Sequence, residues 1–241
     1  NYQVIKQLLN GAPEVIKIRI LEGWDLKKLA AYLGEKMDFD STDVIRLAKD
    51  EKFLIKNEIT ASSLEGYLYP DTYFFFKGET EKSILTHLVK QYKSFWKQSF
   101  KNRAKKLGFS QHEILTLASI IEGEAIYDDE RPKISAVYHN RLNIGMKLQA
   151  DPTIQYIIDD APRRILNRDL RIKSPYNTYL HKGLPPGPIN SPGRKSILAA
   201  LFPEDNDFLF FVAKGDGYHT FTTNESDHNK AKKDCKKFEE N

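Results

Sequence analysis

Val15-Ile16-Lys17-Ile18-Arg19-Ile20, followed by Glu22-Gly23-Trp24-Asp25 and then Leu26, Leu29, Ala30 and Leu33, is the stretch that decides the fold class. Its first six residues alternate apolar and charged over most of their length, which predicts a strand with one wet face. Asp25 stands where an N-cap would, and the apolar residues after it recur at helical spacing. Ser41 or Thr42 can cap a second helix carrying Val44, Ile45, Leu47 and Ala48. A strand and two short helices within roughly 45 residues read as a small α+β module, with a helix over Val4–Leu9 leading into it.

Working outward, Leu64-Glu65-Gly66-Tyr67-Leu68-Tyr69-Pro70-Asp71-Thr72-Tyr73-Phe74-Phe75-Phe76 is dense in aromatics, and its second half predicts a strand opened by a Pro-Asp turn. Three helices follow: Glu81–Lys105, Ser110–Glu122 with Ser110 and Glu113 as a capping box, and Asp129–Leu142. From Gly145 to Ser196 periodicity fades and Pro and Gly take over. Interspersed Ile154, Tyr156, Tyr176 and Leu184 argue for ordered, functional loops rather than disorder. A short helix at Ile197–Leu201, a hairpin turning at Lys214-Gly215-Asp216-Gly217, and a basic helix from Asn224 close the chain.

The 241 residues, 40% hydrophobic and 29% charged, suffice for a sizeable core. A net charge of +4, with Lys230, Lys232, Lys233, Lys236 and Lys237 clustered at one end, does not describe a nucleic-acid groove. The single cysteine, Cys235, excludes an internal disulfide framework, and no apolar run approaches the ~20 residues that cross a bilayer. The chain opens at Asn1 rather than Met, the mark of a processed or trimmed piece.

Chemistry points first to Glu122, which ends the apolar run Ile114-Leu115-Thr116-Leu117-Ala118-Ser119-Ile120-Ile121 and shares a stripe with Leu115 and Ala118. Desolvation there favours the protonated form, as a general acid requires. The alternative is a carboxylate paired with an arginine such as Arg141, or turned to solvent. Glu124, two positions on, lies about 200° round a helix and cannot pair with Glu122 unless Gly123 has ended it. Ser119 and Ser191 lack a nucleophile elbow. The six histidines form no metal-ligand pair, and no phosphate-binding glycine loop is present, so no cofactor is expected. Tyrosines 67, 69, 73, 156, 176 and 179, with Gln149, Asp151, Asn140, Asn177 and Asn190, suit a polyhydroxylated ligand such as a sugar chain. Most of the tyrosines suit a half-buried core equally well.

The Glu65–Tyr73 block, Ala118–Glu122, Asn140-Arg141-Leu142 through Gly145–Thr153, Ser174–Tyr179 with Gly183–Ile189, and Gly217–Phe221 together resemble the bacterial endolytic murein transglycosylases, the YceG-like family. The resemblance implies an α+β chain with a LysM-like submodule over residues 1–57 and a mixed α/β catalytic domain with long ordered loops over residues 58–241. It implies an N-terminal membrane anchor outside this chain, with the catalytic part on the outer face of the cytoplasmic membrane. The family's catalytic glutamate falls on Glu122. Where the family commonly reads Glu-Lys-Glu, this chain has Glu122-Gly123-Glu124, and no lysine role carries over.

The implied reaction needs one carboxyl group. Glu122 would protonate the oxygen joining N-acetylmuramic acid to N-acetylglucosamine, then as carboxylate take the proton of the muramic acid 6-hydroxyl as it closes on C1. Gln149, Asp151, Tyr69, Tyr176, Asn177 and Tyr179 are the expected glycan-positioning residues. The rivals are a muramidase in which Asp151 helps water attack, two carboxyl groups ~5–9.5 Å apart being usual for hydrolysis, and a wall-binding scaffold without catalysis. The expected partners are peptidoglycan strands and peptidoglycan synthases, for a monomeric protein.

Overall fold

The computed structural model describes residues 14–239; the helix expected over Val4–Leu9 lies outside the described residues. About half of them are helical, with two small antiparallel sheets. Strand β1, Val15–Arg19, pairs with β2, Thr72–Phe76, and places Ile18 opposite Tyr73. Between them run α1 (Leu26–Met37), α2 (Ser41–Ala48) and α3 (Glu51–Lys56). The sheet therefore crosses the boundary expected at residues 57/58: β1 needs β2 as its hydrogen-bonding partner. Each helix starts on an aspartate. Asp25 accepts the Lys28 N–H at 2.7 Å and Asp50 that of Phe53 at 2.7 Å. Asp40, not Ser41 or Thr42, caps α2, because its carboxylate reaches the Thr42 N–H.

The helix expected over Glu81–Lys105 is two: α4 (Glu81–Phe95) and α5 (Gln98–Lys106). The chain leaves helical geometry at Trp96, whose ring is buried edge-on against Tyr92 and Phe95. Helix α6, Gln111–Glu124, opens on the expected Ser110–Glu113 capping box and buries every side chain from Ile114 to Ile121. A helix covered all round forms the centre of a fold rather than a surface. Against it pack α7 (Arg131–Asn143), α8 (Asp151–Ile157) and α9 (Arg194–Leu201). Helix α8 departs from expectation, since Asp151-Pro152 reads as a turn in sequence. Proline in a first helical turn forfeits no intrahelical bond, and this pair begins a helix instead.

Strands β3 (Phe210–Ala213) and β4 (His219–Thr222) form the hairpin, and α10 (Glu225–Glu239) follows. One contiguous apolar core runs from Ile18 in β1 to Leu201 in α9. Among the described residues no helix is long and apolar enough to cross a membrane.

Candidate active site

Helix α6 delivers two carboxylates at its C-terminal end, and Gly123 does not end it, so they point in opposite directions. Glu122 enters the junction of α7 and α9. Its Oε2 accepts the Gly193 N–H at 2.9 Å, and its Oε1 lies 3.2 Å from the guanidinium of Arg131, both side chains being 7% exposed. The arginine partner is thus Arg131, while Arg141 donates to the carbonyls of Leu148 and Leu209 and holds loops. Arg131 is itself fixed by Asp128 at 3.1 Å and by the Ser196 hydroxyl. Glu22, from the loop after β1, rests against Gly193, which has no space for a Cβ. Burial and the nearby Glu122 carboxylate push Glu22 above the usual carboxylate range.

Glu124 leaves on the other side, where it is one of the residues lining a cleft of about 950 Å³ and its carboxyl group is buried against Tyr138. The cleft is bounded by Gly23, Asp25, Lys27 and Lys28 of the first module and by Gly123 and Glu124. Asp151, Pro152 and Tyr156 of α8, the loop after it, and Ile189 and Asn190 complete it. The Tyr138 hydroxyl donates to Glu124 Oε1 at 2.6 Å. Desolvation outweighs this bond and pushes Glu124 up to about 7. This is the ionisation expected of an acid that must hold a proton near neutrality and release it. Gly123 is required beside it, because a Cβ there would lie 2.6 Å from Pro152 Cβ.

The remaining expected residues separate into wall and scaffold. Asp151 lines the cleft and accepts the Tyr179 hydroxyl at 2.5 Å, so these two come together beside Glu124. Tyr176 packs on Tyr156, ring centroids 5.0 Å apart, and through Tyr156 reaches the cleft. Asn177 is fully buried. Its amide donates to the carbonyls of Leu170 and Ile172 and its Oδ1 accepts the Tyr179 N–H, so it shapes the loop with no group left for a ligand. Tyr69 stacks on Phe95, and its carbonyl accepts the Tyr73 hydroxyl, away from the cleft lining. Gln149 is exposed at φ 50°, its N–H on Thr178 O, next to the cleft residues but not among them.

Ser119 is structural: its hydroxyl accepts the Ile189 N–H and its carbonyl accepts the Asn190 amide, stapling the loop behind the cleft to α6. Pro186 of the prolyl loop is tied to His112 at 2.8 Å. Asn190 Oδ1 is buried in the cleft wall without a hydrogen-bond partner. Among the described residues no three His, Cys, Asp or Glu side chains gather as a metal site.

Sequence reasoning set Glu124 aside because it cannot pair with Glu122. A single acid needs no such pair, and the Glu-Gly-Glu spacing already put one carboxylate on each side of the helix. Tyr138 and Arg131, 14 and 9 positions from their partners, carry no local signal.

Comparison with known proteins bears on this geometry. The YceG-like family matches residues 1–234. An endolytic murein transglycosylase of Bacillus subtilis (strain 168) is 38% identical over 245 residues, covering 95% of this chain and 68% of that protein. One of Streptococcus pneumoniae (strain D39 / NCTC 7466) is 27% identical over 259 residues, covering 94% of this chain and 47% of its own length. The crystal structure of the yceG-like protein lmo1499 from Listeria monocytogenes superimposes with a TM-score of 0.82 at 34% identity, covering 95% of this chain and 80% of that one.

Proposed function

The chain belongs to the YceG-like family, and from that premise we propose that it is an endolytic transglycosylase of peptidoglycan strands whose acid is Glu124. The observation that carries the assignment is that Glu124, a residue of the cleft lining, has its carboxyl group held under the Tyr138 hydroxyl and pushed by burial up to about 7. The resemblance alone gave this role to Glu122. That carboxylate pairs with Arg131 and the Gly193 N–H and adjoins Gly23 of the cleft lining, and Glu122 as the acid is the alternative that Glu122→Gln beside Glu124→Gln tests.

Protonated Glu124 donates to the oxygen between C1 of N-acetylmuramic acid and O4 of N-acetylglucosamine, and that C–O bond breaks. The carboxylate left behind takes the proton from the muramic acid 6-hydroxyl as O6 bonds to C1. The products are a 1,6-anhydro end and a free 4-hydroxyl, water is not consumed, and Glu124 regains its proton. Asp151, ordered by Tyr179, and the Tyr156–Tyr176 pair position the sugars. Tyr138 fixes the carboxyl group.

A second reading is favoured by one observation. Asp151 lines the cleft beside Glu124, and a second carboxylate there suits hydrolysis by a muramidase. A scaffold that only binds the wall is the third outcome. Mass spectrometry of digested strands decides: anhydro ends support the transglycosylase, reducing muramic ends the muramidase, and uncut strands the scaffold. We further propose that β1, α1–α3 and β2 act as the LysM-like, glycan-gripping unit, since Gly23, Asp25, Lys27 and Lys28 form part of the same cleft. The protein works in this reading as a monomer at the outer face of the cytoplasmic membrane, beside the peptidoglycan synthases.

A further inference from the structure

The cleft carries cations that a glycan backbone, uncharged along its length, does not need. Lys27 and Lys28 come from the first turn of α1, and Arg163 and Arg164 from the loop after α8. Arg163 is neutralised by Asp160 and Asp169, each at 2.7 Å. Lys28 lies over the Trp24 ring with Nζ 5.3 Å from its centroid, and Lys27 and Arg164 are exposed with no ion-pair partner among the described residues. On the acidic side, Asp25 is committed to the Lys28 N–H as an N-cap. The other carboxylates of the lining are Asp151, which accepts the Tyr179 hydroxyl, Glu124, which lies under Tyr138, and the exposed Asp159, and none of them pairs with Lys27, Lys28 or Arg164.

We propose that Lys27, Lys28 and Arg164 form a subsite for the free carboxylates of the peptide stems borne by muramic acid residues, so that peptide-bearing strands are preferred to bare glycan. The inference rests on the reading of the cleft as a peptidoglycan site. Carboxylates fit better than the diphosphate that ends a lipid-linked strand. A diphosphate is held by convergent backbone N–H groups, and here the Leu26 N–H is taken by Glu65 at 3.1 Å and the Lys28 N–H by Asp25. Besides the single Lys27 N–H, what the first turn of α1 has left to offer is long, separate cations, which match separate carboxylates on a flexible stem.

Turnover is to be compared on peptide-bearing strands, strands stripped of their stems, and strands whose stem carboxylates are amidated. The proteins are wild type and the triple variant Lys27→Gln, Lys28→Gln, Arg164→Gln. Two or three exposed charge contacts predict a wild-type kcat/KM about tenfold higher on peptide-bearing strands, mostly through KM. The preference falls to near parity in the triple variant, and the amidated strands behave like the stripped ones. A wild-type ratio near one, a ratio unchanged in the variant, or full preference retained on amidated strands overturns the subsite. So does an effect of the variant seen only when a fourth substrate, peptide-bearing strands ending in a lipid diphosphate, is used, which assigns the cations to the phosphate. Should wild type cleave no strand, the proposed function fails by itself. Binding of the same three strands to the Glu124→Gln protein then gives the same ratio or its absence.

Discussion

The carboxylates of Glu122 and Glu124 leave one helix on opposite sides, the first into an ion pair with Arg131 at 3.2 Å and the second under the hydroxyl of Tyr138 at 2.6 Å. The two should therefore respond differently to the same substitution. Glu124→Gln is expected to cut strand cleavage by about 10²–10⁴-fold, the range of a lost general acid, with the fold intact. Glu122→Gln is expected to cost mainly stability, with activity within roughly tenfold of wild type once folding is corrected for. Glycan product analysis beside thermal melts separates the roles, and the reverse pattern would return the acid to Glu122.

Activity should decline as pH rises through about 7, because Glu124 must be protonated to act and its pKa lies there. Tyr138 donates to the charged form, so Tyr138→Phe removes a stabiliser of the carboxylate and moves this alkaline limb upward. A kcat/KM profile across pH 5 to 9 that is the same for both proteins would exclude Glu124 as the titrating group.

Arg131→Met strands the Glu122 carboxylate in a site 7% exposed. A buried charge that loses its partner costs about 3–5 kcal/mol. The double variant with Glu122→Gln should recover part of that loss, giving a coupling of about 1–3 kcal/mol in urea unfolding. Strict additivity would mean that the pair contributes nothing.

Gly123→Ala drives a Cβ into Pro152, 2.6 Å from its Cβ. Overpacking of this kind costs about 1–3 kcal/mol. Because Pro152 adjoins Asp151, the shift of α8 should lower cleavage as well as the unfolding midpoint. An unshifted midpoint would show that α8 yields freely.

Glu65 is buried where it accepts the Leu26 N–H, and burial pushes it up to about 8 from 4.5. A pKa raised on folding gives stability that is complete below about 4.5 and is lost as pH climbs through about 8. Glu65→Gln keeps an acceptor for Leu26 without the charge. Its melting temperature should gain on wild type as pH rises across that window, by on the order of 5 °C. A constant difference between the two proteins would place the titration elsewhere.

The local chemistry of the chain was enough to specify several of its elements. The Ser110–Glu113 box, the Asp25 cap and the alternation of Val15–Ile20 each act within a few residues, so α6, α1 and β1 are legible without any tertiary contact. So was the α+β class. Local signals failed where long-range packing overrode them, as in the break at Trp96 and the helix hidden behind Asp151-Pro152. They also failed at Asn177, whose bonding capacity is spent inside its own loop.

The direction of the two glutamates belongs to the tertiary structure alone. A stripe identifies the inner face only of a helix that has an outer one, and α6 is covered on every side from Ile114 to Ile121. Both carboxylates therefore point inward. Only the arrival of Arg131 and Gly193 at one, and of Tyr138 and Asp151 at the other, gives one a counter-ion and the other a hydroxyl partner at the cleft lining.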